Sequence, residues 1–256
     1  MKIITSHDNA IFKRFKKLAE SSRERRKAGL TLLDGVHLVS AYLKVALPEF
    51  VVVSTASSEN VEINALLAEI PPERQILVTP SLFAALSPVE TPTGILAIIG
   101  IPQHMPDMNP DFCLFLEDIQ DPGNMGSILR SGAAAGVRLA YFSAGCVDAW
   151  SPKVLRAGMG AHFALTIEER VDLPKKAAAF EGMVVATNVR AVRTVYELDL
   201  RGQVAFCIGN EGAGVSEALL MAADEQASIP MPGAVESLNA AAAAAVCLFE
   251  RVRQLR

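Results

Sequence analysis

The chain has 256 residues, is 51% hydrophobic and 20% charged, and carries a formal net charge of −4. That length holds one large domain or two modest ones, and that balance specifies a globular fold with a sizeable core. The acidic total argues against a nonspecific nucleic-acid coat, no apolar run reaches the roughly 20 residues of a membrane span, and the basic N-terminus lacks the apolar stretch of a signal peptide. A cytoplasmic protein with no membrane partner is expected.

In chain order, Asp8 to Ala19 reads as a helix with Ile11, Phe15 and Leu18 on one face. Ser21 to Ala28 reads as a polar, basic connection. Between Lys13 and Lys27 lie Lys13, Arg14, Lys16, Lys17, Arg23, Arg25, Arg26 and Lys27 against only Glu20 and Glu24, a cluster able to meet phosphates. Leu30–Leu33 is a short strand, Asp34-Gly35 a turn and Val36 to Ala46 an amphipathic helix. A strand at Val51–Val53, a helix at Val61–Glu69, a strand at Ile76–Val78, a short helix at Ser81–Leu86 and a strand at Ile95–Ile99 complete a small alternating α/β unit. Gly100 to Pro110 holds three prolines without periodicity and reads as a linker.

The alternation then resumes. Strands are expected at Phe112–Leu116, Leu139–Phe142, Met183–Ala186, Val204–Ile208 and Ala227–Ile229. Helices are expected at Met125–Ala135, Lys153–Met159, Pro174–Phe180, Val215–Ala222 and Leu238–Arg253. The last of these opens with six alanines, strong helix formers that Ser237 or Asn239 can cap. Small side chains let another backbone or a ligand come close.

Four scattered cysteines (Cys113, Cys146, Cys207, Cys247) form no C-x-x-C pair and read as buried free thiols. His7, His37, His104 and His162 show no ligand spacing, so no metal is indicated. Gly209-x-x-Gly212-x-Gly214 is not the dinucleotide fingerprint, and no G-K-[ST] is present; a nicotinamide dehydrogenase or an NTPase is disfavoured. Three stretches pair an apolar strand with a specified polar turn and a helix: Leu116 to Arg130, Phe206 to Ser216, and Ile229 to Phe249. In open α/β sheets ligands sit at such carboxyl ends of strands.

Together these stretches resemble the SpoU (TrmH-like) branch of the SPOUT RNA methyltransferases. N-x-G-x-x-x-R is carried by Asn124, Gly126 and Arg130, G-N-E-x-x-G by Gly209, Asn210, Glu211 and Gly214, and I-P-M-x-G-x-x-E-S-L-N by Ile229 to Asn239. More loosely, Asp34-Gly35-x-His37-Leu38-Val39 and Thr91 to Ala97 look like the L30e-like RNA-binding domain often fused ahead of the catalytic one. The resemblance implies an α/β protein of two domains: an L30e-like RNA substrate-binding domain over 1–104, then a methyltransferase domain over 111–256 with a C-terminal trefoil knot. It implies methyl transfer from S-adenosylmethionine to a ribose 2′-hydroxyl of structured RNA, ribosomal first and transfer RNA second, and a homodimer. The rival from another class is an RNA-binding module that kept the fold and lost catalysis.

The resemblance assigns catalytic roles to Asn124, Arg130, Glu211, Ser237 and Asn239. In the family the arginine is the proposed base. A guanidinium is hardly ever neutral in a protein, so the reading taken here is that Arg130 fixes the phosphate and the attacking oxygen. Glu211 is placed to accept from Arg130 or Asn124. The resemblance puts the cofactor against the backbone of Gly209, Ile229 and Leu238, with Thr187 after the Val184–Ala186 strand. Two departures stand out. Arg156 to Gly160 lies where relatives commonly carry a serine, and the run after Asn239 is all alanine where relatives often carry Val-Ser.

Overall fold

The computed structural model describes residues 2–89, 91–102 and 110–256. Its contacts divide the chain into two compact units. One comprises Met1–Gln103 with Trp150–Phe163, the other His104–Ala149 with Ala164–Arg256. The division expected from sequence is continuous, whereas here the Trp150–Phe163 segment groups with the first unit. Residues 103–109, most of the expected linker, lie outside the described residues.

In the first unit the elements run β1 (Lys2–Ile4), α1 (Ala10–Glu20), α2 (Ser22–Ala28), β2 (Leu30–Asp34), α3 (Val36–Leu43), β3 (Phe50–Ser54), α4 (Val61–Ala68), β4 (Gln75–Val78), α5 (Pro80–Ala84) and β5 (Ile95–Gly100). The sheet order is β1-β4-β3-β5-β2, parallel at β1–β4–β3 and antiparallel at β3–β5–β2. Phe12, Phe15 and Leu18 of α1 join Leu32, Val52, Ile76, Leu96 and Ile98 in its core. The expected connection at 21–28 is instead the helix α2. The Ser21 hydroxyl accepts from Glu24 N at 3.3 Å, Gly29 closes the helix at φ 62, and Arg25 donates to Leu18 O at 2.7 Å. Helix capping at both ends and one buried guanidinium thus stabilise a turn-rich sequence that lacks an apolar stripe. The segment of this unit that follows residue 149 is tied in by polar and ring contacts. Thr31 Oγ1 donates to Trp150 O at 2.5 Å, and the Tyr42 and Phe163 rings lie 5.3 Å apart.

The second unit carries β6 (Phe112–Leu116), α6 (Pro122–Ala135), β7 (Leu139–Phe142), β8 (Thr166–Glu168), α8 (Leu173–Ala178), β9 (Met183–Thr187), β10 (Val204–Ile208), α9 (Glu217–Ala222), β11 (Glu225–Ala227) and α10 (Ala240–Gln254); α7 (Pro152–Gly158) belongs to the first unit. Its six described strands are all parallel, in the order β11-β9-β10-β6-β7-β8. Central parallel strands are covered on both faces, which is why FCLFL and VAFCI are apolar throughout and fully buried. Cys113, Phe115, Ala205 and Cys207 pack with Leu173, Ala177 and Leu219 of α8 and α9. The alternate residues face the other layer, where the Arg251 guanidinium of α10 lies 4.3 Å from the centre of the Phe112 ring.

Some boundaries differ from expectation. The strand expected at Ala227–Ile229 is β11, Glu225–Ala227, so Ile229 lies beyond it. The last helix begins at Ala240 rather than Leu238. Because every strand of this sheet runs the same way, the loops after β6, β7, β9, β10 and β11 all leave from one edge.

Candidate active site

Three of the loops at that edge meet through side-chain amides. Asp121 caps α6, its Oδ1 accepting from Asn124 N at 2.7 Å, and Pro122 supplies the first helical residue without a wasted donor. Asn124 therefore sits in the first turn of α6. Asn239 caps α10, its Oδ1 accepting from Ala241 N at 2.9 Å and Ala242 N at 3.4 Å. That choice directs the rest. With its oxygen committed to the helix, Asn239 turns its Nδ2 outward and donates to Asn124 Oδ1 at 2.9 Å. Asn124 must then present its own Nδ2 on the other side, where it donates to Glu211 Oε1 at 2.6 Å. The amides all point one way, from the positive end of a helix dipole to a carboxylate. Aligned hydrogen bonds of this kind polarise one another.

The loop carrying Glu211 is itself shaped by Asn210. Asn210 Oδ1 accepts from Gly212 N at 2.9 Å and Ala213 N at 3.1 Å, while its backbone exchanges both hydrogen bonds with Gly214. Gly214 takes φ 72 to close this turn. A side chain at Gly209 would run into the Gly214 carbonyl and the Val215 nitrogen. The glycine requirement at 209 is therefore met inside the loop, whatever else approaches it. Glu117 clips the far end, accepting from the Ser216 N–H and hydroxyl, both at 2.7 Å. Thr187, at the end of β9, donates its hydroxyl to Cys207 O at 3.0 Å. Burial pushes the Cys207 thiol well above the ordinary thiol range, so this sulfur is a neutral core group.

The sequence-derived residues thus fall into three groups. Asn124, Glu211 and Asn239 are brought into one hydrogen-bonded chain, and Glu211 takes its bond from Asn124. Thr187 and Gly209 stand at the ends of adjacent strands. Arg130, Ser237 and Leu238 are exposed, and Ile229 is half-buried. Ser237 is not the helix cap; Asn239 holds that position alone. Sequence reasoning missed the supporting residues Glu117, Asp118, Asp121 and Ser143. The Asp-Pro pair at 121–122 is the one with a legible signal, an N-cap followed by proline.

Ile229 to Leu238 has one further property. Among the described residues, no backbone or side-chain atom of this segment enters a hydrogen bond within the chain. Its amides and carbonyls lie open beside the apolar side chains of Ile229, Val235 and Leu238, the last two 64% and 39% exposed. Backbone groups are obligatory hydrogen-bonding groups, and in this largely exposed segment they are left to solvent or to a partner.

The SpoU rRNA Methylase family matches residues 111–249, more than half of the chain. The chain belongs to that family. Ahead of this region, the MRM3-like substrate binding domain matches residues 9–97 of the same SpoU methylase. It is 32% identical to the Bacillus subtilis 23S rRNA (guanosine(2553)-2′-O)-methyltransferase RlmP, over 97% of this chain and 98% of that protein. It is 30% identical to the human mitochondrial rRNA methyltransferase 3, over 93% of this chain and 71% of that one. Among solved structures it resembles the SpoU methyltransferase AviRb from Streptomyces viridochromogenes in complex with AdoMet, at TM-score 0.85 and 29% identity. That match covers 96% of this chain and 98% of AviRb.

Proposed function

We propose that this SpoU methylase transfers a methyl group from S-adenosylmethionine to a ribose 2′-hydroxyl of ribosomal RNA. The observation that carries the reading is the chain Asn239–Asn124–Glu211, standing at the sheet edge beside a segment whose backbone is open to a ligand. RlmP and the human mitochondrial relative are named for ribosomal RNA, which supports that substrate over transfer RNA.

The open backbone at 229–238 fits S-adenosylmethionine. Its N–H and C=O groups match the edge of an adenine, and Ile229 and Leu238 provide apolar walls; Thr187 and Gly209 would border the same group. When bound, the cofactor supplies a methyl group already activated on a sulfonium. A ribose hydroxyl is a weak nucleophile, so the protein's task is to place its oxygen in line and hold the flanking phosphate. Arg130 is exposed, always charged and presents a planar fork of donors suited to a phosphate. In this reading it holds that phosphate and orients the attacking oxygen. Glu211 and Asn239 fix the Asn124 amide, and Ser237, exposed in the loop ahead of α10, would hydrogen-bond the ribose.

RNA docking falls to the first unit. Lys13, Arg14, Lys17, Arg23, Arg26 and Lys27 are exposed on α1 and α2, while Arg25 is withdrawn into the structure and contributes no surface charge. Phosphate contacts of this kind weaken steeply with salt. The chain works as a homodimer in this proposal. Ala242, Ala245, Val246, Phe249 and Val252 leave an apolar stripe at helical spacing on the outer face of α10, with Phe249 47% exposed. The methyltransferase domain corresponds to 111–256, with the family's trefoil knot at its C-terminal end. Among the described residues no helix is long and apolar enough to cross a membrane.

The test is methyl transfer from labelled cofactor to unmodified ribosomal and transfer RNA, taken separately, with the product nucleoside identified. Label in a 2′-O-methyl nucleoside of ribosomal RNA is the expected result. Label on a base, or bound cofactor with no transfer to either RNA, would overturn the proposal.

A further inference from the structure

The loop after β6 contains a residue in a conformation that its sequence does not explain. Asp118 has φ 54, the left-handed region that side chains other than glycine seldom occupy. Asp is among the few that tolerate it, but something must hold it there. Ser143, at the end of the neighbouring β7, does so from two directions. Its hydroxyl accepts from Asp118 N at 2.9 Å and donates to Asp118 Oδ1 at 2.6 Å. The space is shaped to match: a side chain at Gly145 would run into the Asp118 carboxylate. Val147 N closes the turn on Ile119 O at 2.9 Å.

The reversed backbone at 118 has a consequence on its other side. It turns the Asp118 carbonyl toward β10, where it accepts from Asn210 Nδ2 at 3.0 Å. Asn210 is the residue whose oxygen shapes the turn bearing Glu211. Three residues beyond Asp118, Asp121 caps the helix bearing Asn124. One clamped residue therefore joins the loop that positions Asn124 to the loop that positions Glu211. These two side chains meet at 2.6 Å across separate loops.

We propose that Asp118, locked by Ser143, is a positioning residue for methyl transfer: it acts through Asn210 and the α6 cap to set the Asn124–Glu211 pair. It touches no reacting atom. The proposal rests on the activity reading above, so the experiment includes a readout independent of activity.

Full-length Ser143→Ala, Asp118→Gly and Asp118→Asn are compared with wild type for kcat and KM on ribosomal RNA. The side-chain amide resonances of 15N-labelled Asn124 are recorded in each. Misplacement by a fraction of an ångström is costly in catalysis, so Ser143→Ala lowers kcat by about 10-fold while KM stays within about 2-fold. Asp118→Gly accepts the backbone conformation and keeps its N–H bond to Ser143 but loses the carboxylate half of the clamp, so kcat falls in the same direction as in Ser143→Ala. Asp118→Asn keeps an oxygen for the Ser143 hydroxyl and tolerates the conformation, so it retains near wild-type kcat. The Asn124 amide resonances move in the first two variants and not in the third. Wild-type kcat in Ser143→Ala overturns the proposal, as does equal impairment of Asp118→Asn and Asp118→Gly. So does a loss that falls on KM and thermal stability together, the mark of a merely structural contact. If Ser143→Ala does not fold, the two Asp118 variants decide. If wild type transfers no methyl group, the activity reading fails on its own. The Asn124 resonances then decide this inference, unmoved resonances overturning it.

Discussion

Asn239 serves two purposes that one substitution can separate. Its oxygen caps α10 and its amide nitrogen donates to Asn124. Aspartate caps a helix as well as asparagine does, and its charge suits the helix N-terminus. Asn239→Asp therefore keeps the cap but turns an acceptor toward Asn124 Oδ1. If Asn124 flips in response, its oxygen then faces the Glu211 carboxylate, so the mismatch moves along the chain without disappearing. Losing one such bond and facing two acceptors costs about 1–2 kcal/mol at an exposed site, a factor of roughly 5–30 in rate if the bond is needed in the transition state. Asn239→Ala loses the cap as well, about 1 kcal/mol, which for a chain of this size lowers Tm by about 2–4 °C. The assay pairs methyl transfer with thermal denaturation for both variants. The expected pattern is an aspartate variant that is impaired yet nearly as stable as wild type, and an alanine variant that is impaired and less stable. Full kcat in Asn239→Asp, or equal Tm losses in the two, would refute the directed chain of amides.

Four further outcomes are expected. Arg130→Lys keeps a charge but loses the planar fork, and kcat/KM on RNA should fall by about 10- to 100-fold with cofactor affinity unchanged; equal turnover removes Arg130 from the mechanism. Gly209→Ala forces the Gly214–Val215 peptide aside, and should lower stability by about 1–3 kcal/mol in denaturant titrations even without cofactor. Phe249→Glu places a charge on the apolar stripe of α10, and sedimentation should report a shift from dimer to monomer. Asp34 is buried with one carboxylate oxygen lacking a partner, while the Ser87 hydroxyl donates to the other. Burial raises its pKa above the ordinary 3.8, opposed by the Ser87 bond and by Arg156. A raised carboxyl pKa means the native state holds its proton more tightly than the unfolded chain, so wild-type stability falls as pH rises from 3.8 through the native value. Asp34→Asn removes that loss. Its Tm advantage should be smallest near about pH 3 and largest at about pH 7; an advantage independent of pH would refute the assignment.

Much of the second unit was legible because its central strands are buried on both faces. Phe112–Leu116, Leu139–Phe142 and Val204–Ile208 are bounded by polar turns and match the structure to the residue. The strands that escaped notice lack that signal. Thr166–Glu168 is half-buried along its length and Lys2–Ile4 buries only Ile4, while the polar edge strand Glu225–Ala227 was expected two residues too late. Helix α2 escaped for the converse reason: SRERRKA has no apolar stripe, and its capping rests on Ser21 and Gly29 outside it. At the site, residue identities were readable but directions were not. Ser237 and Asn239 are equally able to cap by chemistry, and only the backbone of the loop selects between them. Whether Glu211 meets Asn124 or Arg130 depends on contacts 87 residues apart in the chain, which no local pattern encodes.

The stretch from Ile229 to Leu238 carries a thermodynamic consequence. Without hydrogen bonds to hold it, its amides should exchange with solvent at close to the rate of an unfolded peptide, while the buried central strand β10 exchanges only on global opening. A ligand that docks there must order the loop as it binds, so part of its intrinsic affinity goes into reducing conformational freedom. Prolines 230 and 232 lower that entropy in advance by restricting the free loop. Replacing either with alanine should leave every contact in the folded chain intact and still weaken cofactor binding, because the free state becomes more disordered while the bound state stays the same.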